Sequence, residues 1–166
     1  MNSLAGALTL ISLFSNPLPA HPRAAPPAHI ILIRHAEKLV AFITSDPAMT
    51  ALGTPVAVFA TQTTKHDDGQ RTQETVAPLA KSLKLQEQTP YLGKDYAALA
   101  KAILANPAYA GKTVLICWNH EEIPQLAAAL GVNPEPPKWK GSVFDLVYII
   151  SYSNGKATLT TSRYGK

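Results

Sequence analysis

The sequence predicts an α/β fold: a three-layer αβα sandwich with a mainly parallel central sheet and a C-terminal antiparallel hairpin. Three observations carry this. Short apolar, β-branched runs recur along the chain, segments of helical spacing lie between them, and Ser153-Asn154-Gly155 stands between two strand-like runs near the end. Strands alternating with helices build parallel sheets, because each crossover helix covers a face of the sheet. Asn-Gly between strands is a strong hairpin signal, since both residues tolerate the positive φ that a tight turn requires.

Each element follows from its own residues. His29 to Ile33, Pro55 to Ala60 and Thr113 to Trp118 are short apolar runs of the kind that form strands buried on both faces. Val76, Leu79, Ala80 and Leu83 recur at i, i+3, i+4 and i+7, one face of a helix, with Pro78 as a potential kink. Asp95 is a candidate cap for a helix whose apolar face is Tyr96, Leu99, Ala100 and Ile103. Ile123, Leu126, Ala127 and Leu130 repeat that spacing. There Pro124 falls in the first turn, where proline is tolerated, and Gly131 supplies the stop. Val143 to Ser151 and Ala157 to Thr161 are the hairpin strands. The connection from His35 to Thr54 is short for a parallel crossover, which takes about a dozen residues or more. It leaves room only for a small helix within Leu39 to Ile43 or Pro47 to Leu52.

With 166 residues the chain suits one domain with a genuine core. Two regions divide it: 1–28, a signal peptide and Pro-rich linker, and 29–166, the folded domain. Leu4 to Phe14 is an apolar stretch of signal-peptide length, too short to span a bilayer comfortably, followed by small residues near Ala20 and Ala28. That reading implies a secreted or periplasmic protein without stable membrane insertion. Met1-Asn2-Ser3 lacks a basic residue, and read instead as an N-terminal extension the segment leaves the protein cytoplasmic. Five prolines between Pro17 and Pro27 make a stiff linker with no fold of its own. Hydrophobic residues make up 46% of the chain, which excludes wholesale disorder. The net charge of +4 is scattered rather than striped, which argues for small anions and against nucleic acid. Cys117 is the single cysteine, so an intramolecular disulfide and an all-cysteine metal site are both excluded. The sequence carries no signal for an oligomeric state.

The chemistry-bearing residues follow the strands. Arg34-His35 comes directly after the first, and His120 directly after the Thr113 to Trp118 run. Arg71 opens the helix after the second strand, beyond the polar loop Gln62 to Gln70. In open α/β sheets, ligands bind beyond the C-terminal ends of the strands. Guanidinium groups hold phosphate oxygens through paired donors. A neutral imidazole can attack phosphorus, and a second, protonated one can stabilise the charge that develops. Helix N-termini near Arg71 and Glu121 would add backbone donors. Singly, Arg34-His35 reads as a surface loop, His120 as a structural histidine and Arg71 as a surface charge; their shared position at strand ends is what distinguishes them. His66 with Asp67 and Asp68 reads as a solvated loop rather than a metal site. Trp118 and Trp139 are candidates either for a pocket wall or for the core.

These residues resemble the histidine phosphatase superfamily, the phosphoglycerate mutase-like enzymes, over roughly Ile30 to Ile150. Arg34-His35-Ala36-Glu37 is similar to its Arg-His-Gly/Ala-Glu signature, Arg71-Thr72-Gln73-Glu74-Thr75 to its second arginine motif, and His120 to its second histidine. Trp139 and Phe144-Asp145 resemble short bacterial members. The resemblance implies a phosphatase that hydrolyses phosphomonoesters through a phosphohistidine on His35. Arg34, Arg71 and His120 would form the phosphate pocket, and neither a metal nor an organic cofactor is expected. A phosphorylated small molecule would be the substrate. The proton donor would be a carboxylate outside the shared core: Glu37 and Glu121 rank equally, ahead of Glu122 and Asp145. For Glu121 and Glu122, helix first-turn carboxylates are the plainer reading, and for Glu37 a structural partner of a pocket arginine. Two features depart from the family: the missing lid favours hydrolysis over transfer, and the short first crossover could leave a pocket that binds phosphate without turnover. A catalytically weak or inactive phosphate-binding module and a protein phosphohistidine phosphatase are the alternatives.

Overall fold

A computed structural model describes residues 24–35, 39–65 and 69–163. Its strands are β1 (His29–Ile33), β2 (Pro55–Ala60), β3 (Glu87–Gln88), β4 (Thr113–Cys117), β5 (Leu146–Ser153) and β6 (Lys156–Arg163). Its helices are α1 (Leu39–Ser45), α2 (Pro47–Thr50), α3 (Gln70–Ser82), α4 (Tyr96–Ala105) and α5 (Ile123–Ala129). The strands form one six-stranded sheet in the order β3-β2-β4-β1-β5-β6. β3, β2, β4 and β1 run parallel, while β5 and β6 are antiparallel additions at the β1 edge.

Alternation along each strand divides the interior into two cores. Ile30 and Leu32 of β1, Ala57 and Phe59 of β2, and Val114 and Ile116 of β4 face α4 and α5. Ile31 and Ile33, Val58 and Ala60, and Leu115 and Cys117 face α1, α2 and α3. This is the three-layer sandwich. Four consecutive residues of β1 are fully buried, which requires cover on both faces. Burying such side chains is worth about 1.5–3 kcal/mol each.

Several expectations are refined. The short crossover holds both small helices, α1 and α2, with Asp46 Oδ1 accepting from the Ala48 and Met49 amides to start the second. Asp95 does not cap α4 with its side chain; a 3-10 turn, Gly93–Asp95, precedes the helix, and Asp95 Oδ2 accepts from the Leu92 amide instead. Asn154 and Gly155 both take positive φ at the hairpin tip, as the turn demands. The end of the Pro-rich stretch belongs to the fold. Pro26 O accepts from the Gly111 amide, the Ala28 amide donates to Lys112 O, and Ala28 O accepts from the Tyr152 amide, extending β1 backwards. The signal-peptide reading of the preceding residues lies outside the described residues. Among the described residues no helix is long and apolar enough to cross a membrane.

The topology sets the position of a site. After β1 the chain passes to the α1–α3 layer, and after β4 it passes to the α4–α5 layer. Adjacent parallel strands whose onward connections leave to opposite faces open a crevice beyond their C-terminal ends. Arg34-His35 and Asn119-His120 stand on the two sides of that crevice. A cleft of about 580 Å³ lies at the other end of the sheet, between residues 24–26, Gly131 and the β5–β6 turn, remote from these residues.

Candidate active site

Arg34 is 3% exposed, although it directly follows a buried strand and carries a full charge. A buried guanidinium needs partners. Its Nη1 donates to Gly141 O at 2.7 Å and to Val143 O at 3.1 Å. Its Cζ lies 3.9 Å from the centroid of the Phe144 ring, a cation–π contact. Its Nη2 is 3.5 Å from His35 Nε2. A guanidinium can only donate, so the His35 nitrogen facing it presents its lone pair, and in the neutral ring Nδ1 carries the proton. The His35 ring also meets Phe144 edge-on, with centroids 5.5 Å apart and planes inclined at 67°.

The loop from Trp139 to Phe144 holds these groups together. Trp139 is buried, packs against Tyr148 at 4.9 Å and donates from Nε1 to Val143 O at 2.8 Å. The Val143 amide turns back to Lys140 O. Val143 O therefore takes one donor from the core and one from Arg34. The loop is fixed from both sides, and Phe144 is fixed with it. Gly141 approaches the second histidine: a Cβ at Gly141 would lie 3.4 Å from His120 Nε2. Arg34, His35 and His120 thus converge on one six-residue loop from the ends of adjacent strands.

His120 has its pKa held below the usual 6.5, first by burial and then by the Arg34 charge, with Glu121 opposing. Glu121 is exposed in the turn before α5, and Glu122 is at its cap, so neither stands within the helix proper. Asn119, beside His120, lies so close to Gly93 that no Cβ fits between them. Trp118 Nε1 donates to Gly93 O at 2.9 Å. Trp118 is fully buried and Trp139 is 5% exposed, so both belong to the core rather than to a pocket wall.

Arg71 stands exposed on the first turn of α3, at the same edge of the sheet, on the far side of β4 from β1. A buried threonine pair fixes that turn. Thr72 Oγ1 donates to Gly69 O at 2.7 Å, so the Thr61 hydroxyl must be the donor in the 2.6 Å Thr61–Thr72 contact. Gly69 packs on the Thr61 and Gln62 carbonyls at distances no side chain would permit, which closes the base of the preceding loop. The Thr72 and Gln73 amides bond Gly69 O, and the Glu122 and Ile123 amides bond Asn119 O. Glu37 and the His66-Asp67-Asp68 run lie outside the described residues. Cys117 is fully buried, and burial pushes its thiol far above its ordinary range, so it is no nucleophile. Asp145 pairs with Arg163 at 2.5 Å.

A scan against protein-family models gives no match, and no curated protein matches the chain.

Sequence reasoning missed the Gly141 and Val143 carbonyls. Backbone acceptors in an irregular loop leave no signature in residue type. Phe144 was visible only as part of a resemblance, with no indication that its ring would lie on Arg34.

Proposed function

We propose that this protein is a phosphatase that hydrolyses phosphomonoesters through a phosphohistidine on His35. The observation that carries the reading is the convergence of Arg34, His35 and His120 on the Trp139 to Phe144 loop at the crevice between β1 and β4. His35 Nε2 attacks phosphorus, and the ester P–O bond breaks with its electron pair passing to the departing oxygen. That oxygen takes a proton from a carboxylic acid, for which Glu121 and Glu37 are the candidates. Water then attacks phosphorus and gives a proton to the carboxylate left by the first step, the P–N bond breaks with its electron pair returning to Nε2, and inorganic phosphate leaves with the imidazole and the carboxylic acid restored. Arg34 and Arg71 would neutralise phosphoryl oxygens, and His120, when protonated, would hold one equatorial oxygen.

The test is 32P labelling of the full chain with a panel of phosphomonoesters. Acid-labile label that is lost in His35→Ala supports the reading, and absence of both label and hydrolysis across the panel overturns it. One observation favours a second reading, a phosphate-binding module without turnover. Arg34 Nη1 is already committed to two loop carbonyls, and a phosphoryl group would compete with them. Calorimetric affinity for phosphate or vanadate without hydrolysis would select that alternative.

A further inference from the structure

We infer that Phe144 determines specificity, selecting substrates whose phosphate carries a flat, aryl substituent over those carrying an alkyl one. The inference rests on the reading of Arg34, His35 and His120 as a phosphoryl site.

Among the described residues, the exposed large hydrophobics are Val56 at 37% and Phe144 at 48%. Val56 lies near the start of β2, at the end of the sheet remote from the site. Phe144 is within contact of both Arg34 and His35. An isolated exposed apolar residue needs no explanation. An exposed aromatic beside a candidate nucleophile is a different matter, because its position is fixed. Val143, the residue before it, is held through its carbonyl by both Trp139 and Arg34, and β5 begins two residues after it. The guanidinium covers part of the ring and leaves about half of the residue open.

A phosphoryl group held by Arg34, His35 and His120 directs its ester substituent outward, past the open part of that ring. A flat π-system there can pack in the offset or edge-on geometry that aromatic pairs prefer. The pair-specific gain of such contacts corresponds to roughly 2- to 12-fold in affinity. A saturated chain would gain only its buried area. Cation–π contact with Arg34 is the competing role, in which Phe144 merely positions the guanidinium. The two roles separate experimentally, because positioning affects every phosphoryl ligand alike.

Calorimetry on the full chain with inorganic phosphate, cyclohexylphosphonate and phenylphosphonate tests this, on the native protein, Phe144→Leu and Phe144→Trp. The native protein should favour phenylphosphonate over the similarly sized cyclohexylphosphonate by roughly 2- to 12-fold. Phe144→Trp should keep that preference. Phe144→Leu, which keeps an apolar side chain without a ring, should remove most of it, read as the ratio of the two phosphonate affinities. Equal affinity for the two phosphonates in the native protein overturns the inference alone. So does a parallel loss of all three probes in Phe144→Leu. Failure of all three to bind the native protein overturns the phosphoryl site, and the inference with it. The preference intact, with no phosphomonoester hydrolysed in the labelling test, supports the inference and overturns only the proposed catalysis.

Discussion

Arg34 and Gly141 are 107 residues apart in sequence and joined by a 2.7 Å hydrogen bond from guanidinium to carbonyl. That bond links the end of β1 to the loop that leads into β5, and it brings the loop against His120. A charged side chain that would otherwise be a folding liability becomes the post around which the candidate site is built. Its hold on the loop and the phosphoryl contact proposed for it depend on the same guanidinium.

Arg34→Ala should therefore lose stability as well as ligand. It removes charge-assisted bonds to two carbonyls and the contact with Phe144, a loss of about 2–3 kcal/mol. For a chain of this length that is a fall of roughly 4–12 °C in Tm. Arg34→Lys restores the charge but cannot present the same fork, so it should recover only part of the Tm and little phosphate affinity. Thermal melts and phosphate calorimetry on both variants check this. An unchanged Tm in Arg34→Ala would mean that the loop holds itself.

Gly141→Ala separates the two roles. Its methyl would sit 3.4 Å from His120 Nε2, close to ordinary contact distance, so the fold should tolerate it within about 1 kcal/mol. The same methyl stands in front of the imidazole nitrogen that would hold a phosphoryl oxygen. Phosphate affinity and kcat/KM should fall about 10-fold or more while Tm changes little, since a misplacement of about 1 Å can cost far more in rate than in stability. Equal activity of Gly141→Ala and native protein would remove His120 from the site.

Thr72→Val tests how Arg71 is positioned. The substitution keeps shape but leaves the Thr61 hydroxyl and the Thr61 amide without their shared partner in a buried setting, while Gly69 O keeps the Thr72 and Gln73 amides. Unsatisfied buried groups cost about 1–3 kcal/mol. If Arg71 binds substrate from the turn this pair anchors, KM should rise in Thr72→Val before kcat falls. Thr72→Ser, which keeps the hydroxyl, should restore KM.

The sheet was legible because it is written in residue type. His29 to Ile33, Pro55 to Ala60 and Thr113 to Cys117 each need apolar side chains on both faces, and a run of such residues has few other uses. β3 was not legible, because Glu87 and Gln88 pair with β2 only through two residues of backbone and carry no alternation. The same division holds at the site. Arg34, His35, Arg71 and His120 could be found because their side chains announce charge or basicity at strand ends. The carbonyls that hold Arg34 could not, since every residue has one and only the path of the loop decides where it points. Asp95 is the intermediate case: its type suits a cap, but the 3-10 turn ahead of α4 diverts its carboxylate to the Leu92 amide.

The lowered pKa of His120 gives the site a pH dependence with a definite sign. Protonated His120 is the form that brings a positive charge to a phosphoryl oxygen, and in the free protein burial and Arg34 hold its pKa below 6.5. kcat/KM should therefore rise as pH falls below neutral, through the lowered pKa of His120, until loss of the nucleophile's neutral form opposes it. Glu121 opposes the shift, so Glu121→Gln should move that limb to still lower pH with kcat at its plateau retained. If Glu121 is instead the proton donor, the same variant loses kcat at every pH and the limb stays in place. Stability runs the other way. In the unfolded chain the imidazole titrates near its ordinary 6.5, so between that pH and the folded pKa the unfolded state binds more protons. His29, also lowered by burial, acts in the same direction. Their effect is absent above about pH 7, and the melting temperature should fall as pH drops through 6.5 and stop responding to these groups below their folded pKa values. NMR titration of the two imidazoles beside a pH series of melts tests both effects, and a His120 that titrates above 6.5 in the free protein would reverse the sign of its stability contribution and move the activity limb to higher pH.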